Sequence, residues 1–195
     1  LFLLFLQIIP IPELPDPDGF VNVGGEILGP YILREDSGQT TKVILKNGLT
    51  VLIRENNAIP LTSVTTHVKA GYFDEPGTSS GIAHVVEHMF FKGTGRRGVG
   101  QIARETKALG GSLNAYTNYE RTVYHTVVPS ENAVQAMDIQ SDALFNPAFD
   151  AAELEREIEI VIQENNRKLD NPPAVAVERL YGTAFEEHRM RRWRI

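Results

Sequence analysis

Five residues constrain this chain more than any others: His84, Val85, Val86, Glu87 and His88, an HxxEH pattern inside an apolar run over residues 81–91. At about 100° per residue in a helix, Glu87 falls roughly 60° to one side of His84 and His88 roughly 40° to the other. All three side chains therefore share one helical face. Two imidazoles one turn apart can hold one metal ion.

Divalent zinc favours neutral imidazole nitrogens at about 2.0–2.1 Å, and a catalytic site usually takes three protein ligands plus a water. A carboxylate beside the metal but off it then has a task. It takes a proton from the bound water, whose pKa the metal lowers to about 7. Relative to an HExxH helix, the glutamate here stands on the other side of the two histidines, so the same geometry requires the helix to run the other way.

A third ligand is sought in residues 150–168, whose spacing predicts a helix with an apolar stripe through Leu154, Ile158, Val161 and Ile162. Glu157 and Glu164 are two turns apart on one edge of that stripe, whereas Glu153, Glu155 and Glu159 read as solvated. A carboxylate beside a buried stripe is costly unless it is paired or bound to a metal, which singles out Glu157 and Glu164.

With these residues in hand the chain resembles the pitrilysin or insulinase-type zinc metallopeptidases, of the mitochondrial processing peptidase-like kind. Lys46-Asn47-Gly48-Leu49-Thr50-Val51, Glu87-His88-Met89-Phe90-Phe91-Lys92-Gly93-Thr94, Leu113-Asn114-Ala115-Tyr116-Thr117 and Asp170-Asn171-Pro172-Pro173 carry the resemblance, over residues 41–187. It implies that His84, His88 and Glu164 bind one Zn2+ per chain and that Glu87 is the general base activating a zinc-bound water. It further implies that Glu157 orients a ligand and that the backbone of Asn114, Ala115 and Tyr116 accepts the substrate as an added β-strand.

The fold so implied is α+β, a mainly antiparallel sheet covered by helices as a two-layer sandwich, forming one half of a clamshell peptidase. The activity implied is zinc-dependent endoproteolysis of peptides or unfolded segments. Such a half needs a second peptidase-like half or subunit, or a homodimer. The alternative is therefore a catalytically incomplete fragment or a peptide-binding partner subunit.

The 195 residues, 42% of them apolar, suffice for one globular domain with a core. The net charge of −6 argues against nucleic acid as a partner, and the absence of cysteine excludes disulfides and thiolate ligands. Residues 1–9 are apolar but too short to span a bilayer. They read either as the tail of a signal peptide, with a periplasmic or secreted protein to follow, or as the ragged boundary of a fragment. Pro10, Pro12, Pro15 and Pro17, then Gly24, Gly25, Gly29 and Pro30, continue as a linker, so residues 1–40 are set apart from a peptidase domain over 41–187.

Order is expected from Thr41. Asn47-Gly48 predicts a hairpin, residues 62–70 a third strand with His67 turned away from Val64, and Ser79 or Ser80 a cap for the motif helix. Gly93-Thr94-Gly95-Arg96-Arg97-Gly98 matches GxGxxG but follows a helix rather than a strand, so it reads as a loop. Residues 101–109 and 131–145 read as helices, and residues 112–119 and 121–128 as a second hairpin in which His125 is structural. Pro173 opens a last helix. Residues 188–195 form an atypical basic tail containing Trp193, read as a truncated or frame-shifted end or as a contact for an acidic or membrane partner.

Overall fold

Asn-Gly turns suit tight hairpins because glycine adopts positive φ without strain. Gly48 has φ +86°, and β4 (Thr40–Leu45) and β5 (Thr50–Glu55) pair antiparallel around it. The turn is closed by the Leu45 N–H donating to the Leu49 carbonyl at 2.8 Å and by the Asn47 side chain accepting from the Leu49 N–H at 3.0 Å. Next comes β6 (Leu61–Val68), with Thr62, Val64 and Thr66 buried on one face and His67 on the other. The second hairpin is β7 (Ser112–Thr117) and β8 (Thr122–Pro129), in register from Ser112↔Val127 to Thr117↔Thr122.

The structure, a computed structural model, describes residues 2–8, 20–23 and 26–191, with side chains from residue 31 onward. It adds three strands ahead of those the sequence predicts: β1 (Phe2–Ile8), β2 (Phe20–Val23) and β3 (Glu26–Ser37). Order thus starts before Thr41. Gly38, with φ +60°, turns β3 back onto β4, and Tyr31 packs against the core, which outweighs the glycines and proline just upstream. The sheet order is β2-β3-β4-β5-β1-β6-β8-β7, antiparallel except where β1 runs parallel to β5. The apolar stretch read as signal-like is too short for a bilayer but of ordinary length for a strand. Prolines 10, 12, 15 and 17 and Trp193 lie outside the described residues.

Among the described residues five α-helices follow: α1 (Ile82–Met89), α2 (Gln101–Ala108), α3 (Ala133–Phe145), α4 (Ala151–Leu169) and α5 (Pro172–Ala184). One core cluster is Val43, Leu45, Val51, Ile53 and Val64, with Met137 of α3 against it. A second gathers Phe90, Ile102, Tyr124, Ile139 and Ala143. Apolar positions on β4, β5, β6 and β8 thus meet helices on one side of the sheet, giving the two-layer α+β arrangement. Buried Gln140 plugs α3 onto the sheet, accepting from the Thr126 hydroxyl at 2.9 Å and donating to Thr66 Oγ1 at 2.9 Å and the Tyr124 carbonyl at 3.1 Å.

The predicted stripe of α4 is corrected. Val161 is buried, but Ile158 and Ile162 are exposed. The helix packs on α1 and α5 rather than on the sheet, so a narrower face is covered, and it includes Glu157. The GxGxxG stretch is a loop between a short 3-10 turn, Phe90–Lys92, and α2. Its Gly93 carbonyl accepts from the Ala148 N–H at 3.0 Å, stitching the end of the motif helix to the start of α4. A Cβ on Gly93, whose φ is +106°, would stand 2.6 Å from the Arg97 carbonyl oxygen, so only glycine fits.

Candidate metal centre

The motif helix begins at Gly81, in the left-handed region, so the cap position belongs to a glycine rather than to Ser79 or Ser80. Buried Glu75 caps the helix instead, its two carboxylate oxygens accepting from the N–H groups of Gly81 and Ala83 at 3.0 Å each. A carboxylate on the first free amides satisfies orphan donors and complements the positive end of the helix. The predicted serine caps are thereby replaced.

One turn apart on α1, His84 and His88 direct Nε2 atoms at each other across 3.1 Å, with their rings nearly perpendicular. Glu164 of α4 brings Oε2 to 3.6 Å from His84 Nε2 and 3.8 Å from His88 Nε2. Ligand atoms about 2.0–2.2 Å from a tetrahedral zinc ion stand about 3.3–3.5 Å apart. The three separations bracket that value, and the donor set of two imidazoles and one carboxylate is one that zinc takes. Among the described residues this is the one group of three such ligand atoms lying within 4.8 Å of one another. His67, His125 and His188 are not part of it.

The other carboxylate of α4 has a different place. Glu157 is buried, with Oε2 at 2.8 Å from His88 Nδ1 and Oε1 at 2.6 Å from Lys92 Nζ. Burial alone would raise its pKa, but the bonds from Lys92 and His88 outweigh this and hold the carboxyl below its ordinary value. An ionised carboxylate only accepts, so His88 carries its hydrogen on Nδ1 and leaves the Nε2 lone pair free to bind metal.

Glu87, beside the two histidines on α1, reaches toward the second hairpin. It is buried, and its Oε2 accepts from the Thr117 hydroxyl at 2.6 Å. Thr117 Oγ1 lies 3.2 Å from Thr122 Oγ1, and that hydroxyl donates to the Ala70 carbonyl at 3.0 Å. Burial first, and the Glu87 charge second, raise the pKa of the Tyr124 phenol beyond the physiological range. It stays neutral next to the carboxylate.

Thr117 ends β7, an edge strand of the sheet. Asn114, Ala115 and Tyr116 lie along it, with Asn114 and Tyr116 exposed. The Ala115 N–H is bonded by the Asn114 side chain at 2.9 Å rather than by β8, so it belongs to the outward-turned set of backbone groups. Sequence reasoning gave no part to Lys92, Thr117 or Glu75. Lys92 stands four residues after His88, a spacing that could have drawn attention to it, but Thr117 and Glu75 reach α1 only through the tertiary fold.

An inverted two-histidine helix, a glutamate from a second helix and a carboxylate facing an edge strand together make a candidate metal centre. Comparison with known proteins agrees. The family model for insulinase, peptidase family M16, matches residues 50–194, and the chain belongs to that family. An uncharacterized zinc protease of Rickettsia bellii (strain RML369-C) is 40% identical over 144 residues, covering 73% of this chain and 35% of the relative. A probable mitochondrial-processing peptidase subunit beta of Arabidopsis thaliana is 35% identical over 148 residues, covering 76% of this chain and 28% of the relative. The crystal structure of a protease from Helicobacter pylori superposes with a TM-score of 0.73 at 26% identity, covering 82% of this chain and 38% of that one. The chain thus spans about a third of the length of the relatives it matches. Strands β1 to β4 precede the matched residues.

Proposed function

We propose that this chain holds one zinc ion through His84, His88 and Glu164 and serves the endoproteolytic hydrolysis of peptides or unfolded protein segments. The observation that carries the reading is convergence. Three ligand atoms meet at zinc-like spacing, and Glu87, one residue from a ligand, faces the edge strand instead.

Bound there, zinc supplies Lewis acidity, polarising a carbonyl and acidifying water. The chain's own groups do the rest. A substrate strand laid along β7 takes main-chain hydrogen bonds from the outward groups around Ala115, with Asn114 and Tyr116 flanking it, so affinity depends little on sequence. Glu87 accepts the proton of the attacking water and returns it to the departing amine. Thr117 holds the Glu87 carboxylate in place through Oε2.

The test is peptide cleavage by the purified chain, read by mass spectrometry with and without a chelator, beside Glu87→Gln. Cuts that need metal and vanish in the variant are expected. Cuts that persist in either case defeat the assignment. A second reading has its own observation: the chain spans about a third of its relatives, and one of them is named as a subunit. On that reading a zinc-loaded chain makes no cuts until a second peptidase-like half is supplied.

A further inference from the structure

We infer that Lys92 is a positioning residue of the metal centre, acting through Glu157 to fix the ring of His88; this rests on the zinc reading above. Three residues form one line. Lys92 Nζ meets Glu157 Oε1 at 2.6 Å, and Glu157 Oε2 meets His88 Nδ1 at 2.8 Å.

The ammonium has only hydrogens to give, so it claims Oε1 outright. A carboxylate gripped at both oxygens from different directions cannot turn about its last torsion, and Oε2 stays where the Nδ1–H of His88 needs it. The ring is then held in the tautomer that presents Nε2 to Glu164 and His84.

Lys92 is itself placed with care. It closes the 3-10 turn Phe90–Lys92 immediately after α1, and the next residue, Gly93, is bonded through its carbonyl to the Ala148 N–H just ahead of α4. Thr94 extends that contact as a bridge to Pro147. The ion pair therefore joins the same two elements that carry the ligands, and it does so from a turn anchored independently of the metal. A surface ion pair would deserve little weight. This one ends on a carboxylate whose side chain is only 4% exposed.

The experiment uses the full chain. Zinc affinity is measured by competition with a chromogenic chelator, and the His88 ring tautomer by nitrogen-15 NMR of the metal-free, histidine-labelled protein. Lys92→Met is expected to weaken zinc binding by about tenfold, the lower end of what outer partners of metal ligands commonly contribute. It is also expected to spread the ring signal over both tautomers. Lys92→Arg should bring both readouts back toward the parent. In a Glu157→Gln background, Lys92→Met should cause no further loss, because Lys92 acts only through that carboxylate.

Parent-like affinity and ring signal in Lys92→Met overturn the inference, as does an equal loss in both backgrounds. Should Lys92→Met not fold, Lys92→Gln takes its place in every comparison. A parent chain that binds no zinc defeats the zinc reading alone, since the ring measurement needs no metal and still decides the role of Lys92.

Discussion

The Thr117 hydroxyl donates to Glu87 Oε2 across 2.6 Å, tying the edge strand β7 to the carboxylate of the motif helix. The same residue thus touches the proposed base and ends the strand on which a peptide would lie. A hydrogen bond to a charged group contributes about 1.5–3 kcal/mol. If it holds Glu87 in its working rotamer, Thr117→Val should lower kcat about tenfold or more. KM and zinc content should change little, and Thr117→Ser should recover most of the rate. Steady-state kinetics with a metal assay on the same samples checks this, and an unchanged kcat in Thr117→Val would remove Thr117 from the machinery.

The two glutamates of α4 should separate under substitution. Glu164 has its Oε2 within 3.8 Å of both Nε2 atoms, whereas Glu157 reaches only the far nitrogen of His88. Glu164→Gln should therefore lose zinc at low micromolar concentrations while the fold survives, because its side chain is 41% exposed and no core depends on it. Glu157→Gln should bind zinc more weakly than the parent but still measurably, by about 10–100-fold. Metal content after gel filtration, with circular dichroism for the fold, distinguishes the two. Equal zinc in Glu164→Gln and the parent would exclude it as a ligand.

How far this site can be read from sequence depends on how local each relationship is. His84, Glu87 and His88 follow from helical period alone, and the hairpin at Asn47-Gly48 from the demands of its turn. Glu157 and Glu164 share a helix edge, so period cannot say which of them meets the Nε2 atoms. That depends on how α4 lies along α1, which the sequence expresses only through its resemblance to a family. Thr117, Glu75 and the stitch at Gly93 join residues 30, 6 and 55 positions apart through loops and strands whose paths no periodicity encodes. A helical wheel overestimates the α4 stripe for a related reason. Ile158 and Ile162 look like core on a helical wheel, but burial requires a neighbour, and α4 has helices on only part of its circumference.

The loop after the motif helix predicts an acid transition. Asp142 is buried, and although burial alone would raise its pKa, bonds from Thr94 and Arg97 outweigh it and lower the value to about 2. A carboxyl depressed from 3.8 to about 2 stabilises the fold fully above the unfolded value, and that stability is lost as pH falls from about 4 through about 2. The shift corresponds to about 2 kcal/mol. Asp142→Asn should thus flatten the loss of thermal stability between pH 4 and pH 2, while lowering the melting temperature at neutral pH because Arg97 loses a partner. Melting followed by circular dichroism across that range checks it; parallel curves for variant and parent would show that the Arg97 contact does not control the acid limb.

Glu75 offers the most direct test of how the motif helix is held. The helix has eight residues, its N-terminal residue Gly81 has no side chain to cap with, and the Glu75 carboxylate accepts from the first amides at Gly81 and Ala83. Loss of a side-chain cap commonly costs about 0.5–2 kcal/mol. For a chain of this size that corresponds to a fall of about 1–8 °C in melting temperature. Glu75→Ala should show such a fall and Glu75→Gln a smaller one, since the amide keeps one acceptor but loses the charge that complements the helix dipole. The consequence reaches the metal. His84 stands one residue after Ala83, so fraying of the first turn moves it away from His88 and Glu164. Zinc affinity in Glu75→Ala should therefore fall together with stability, and a variant that melts earlier but binds zinc like the parent would show that His84 is held by the rest of the helix rather than by its cap.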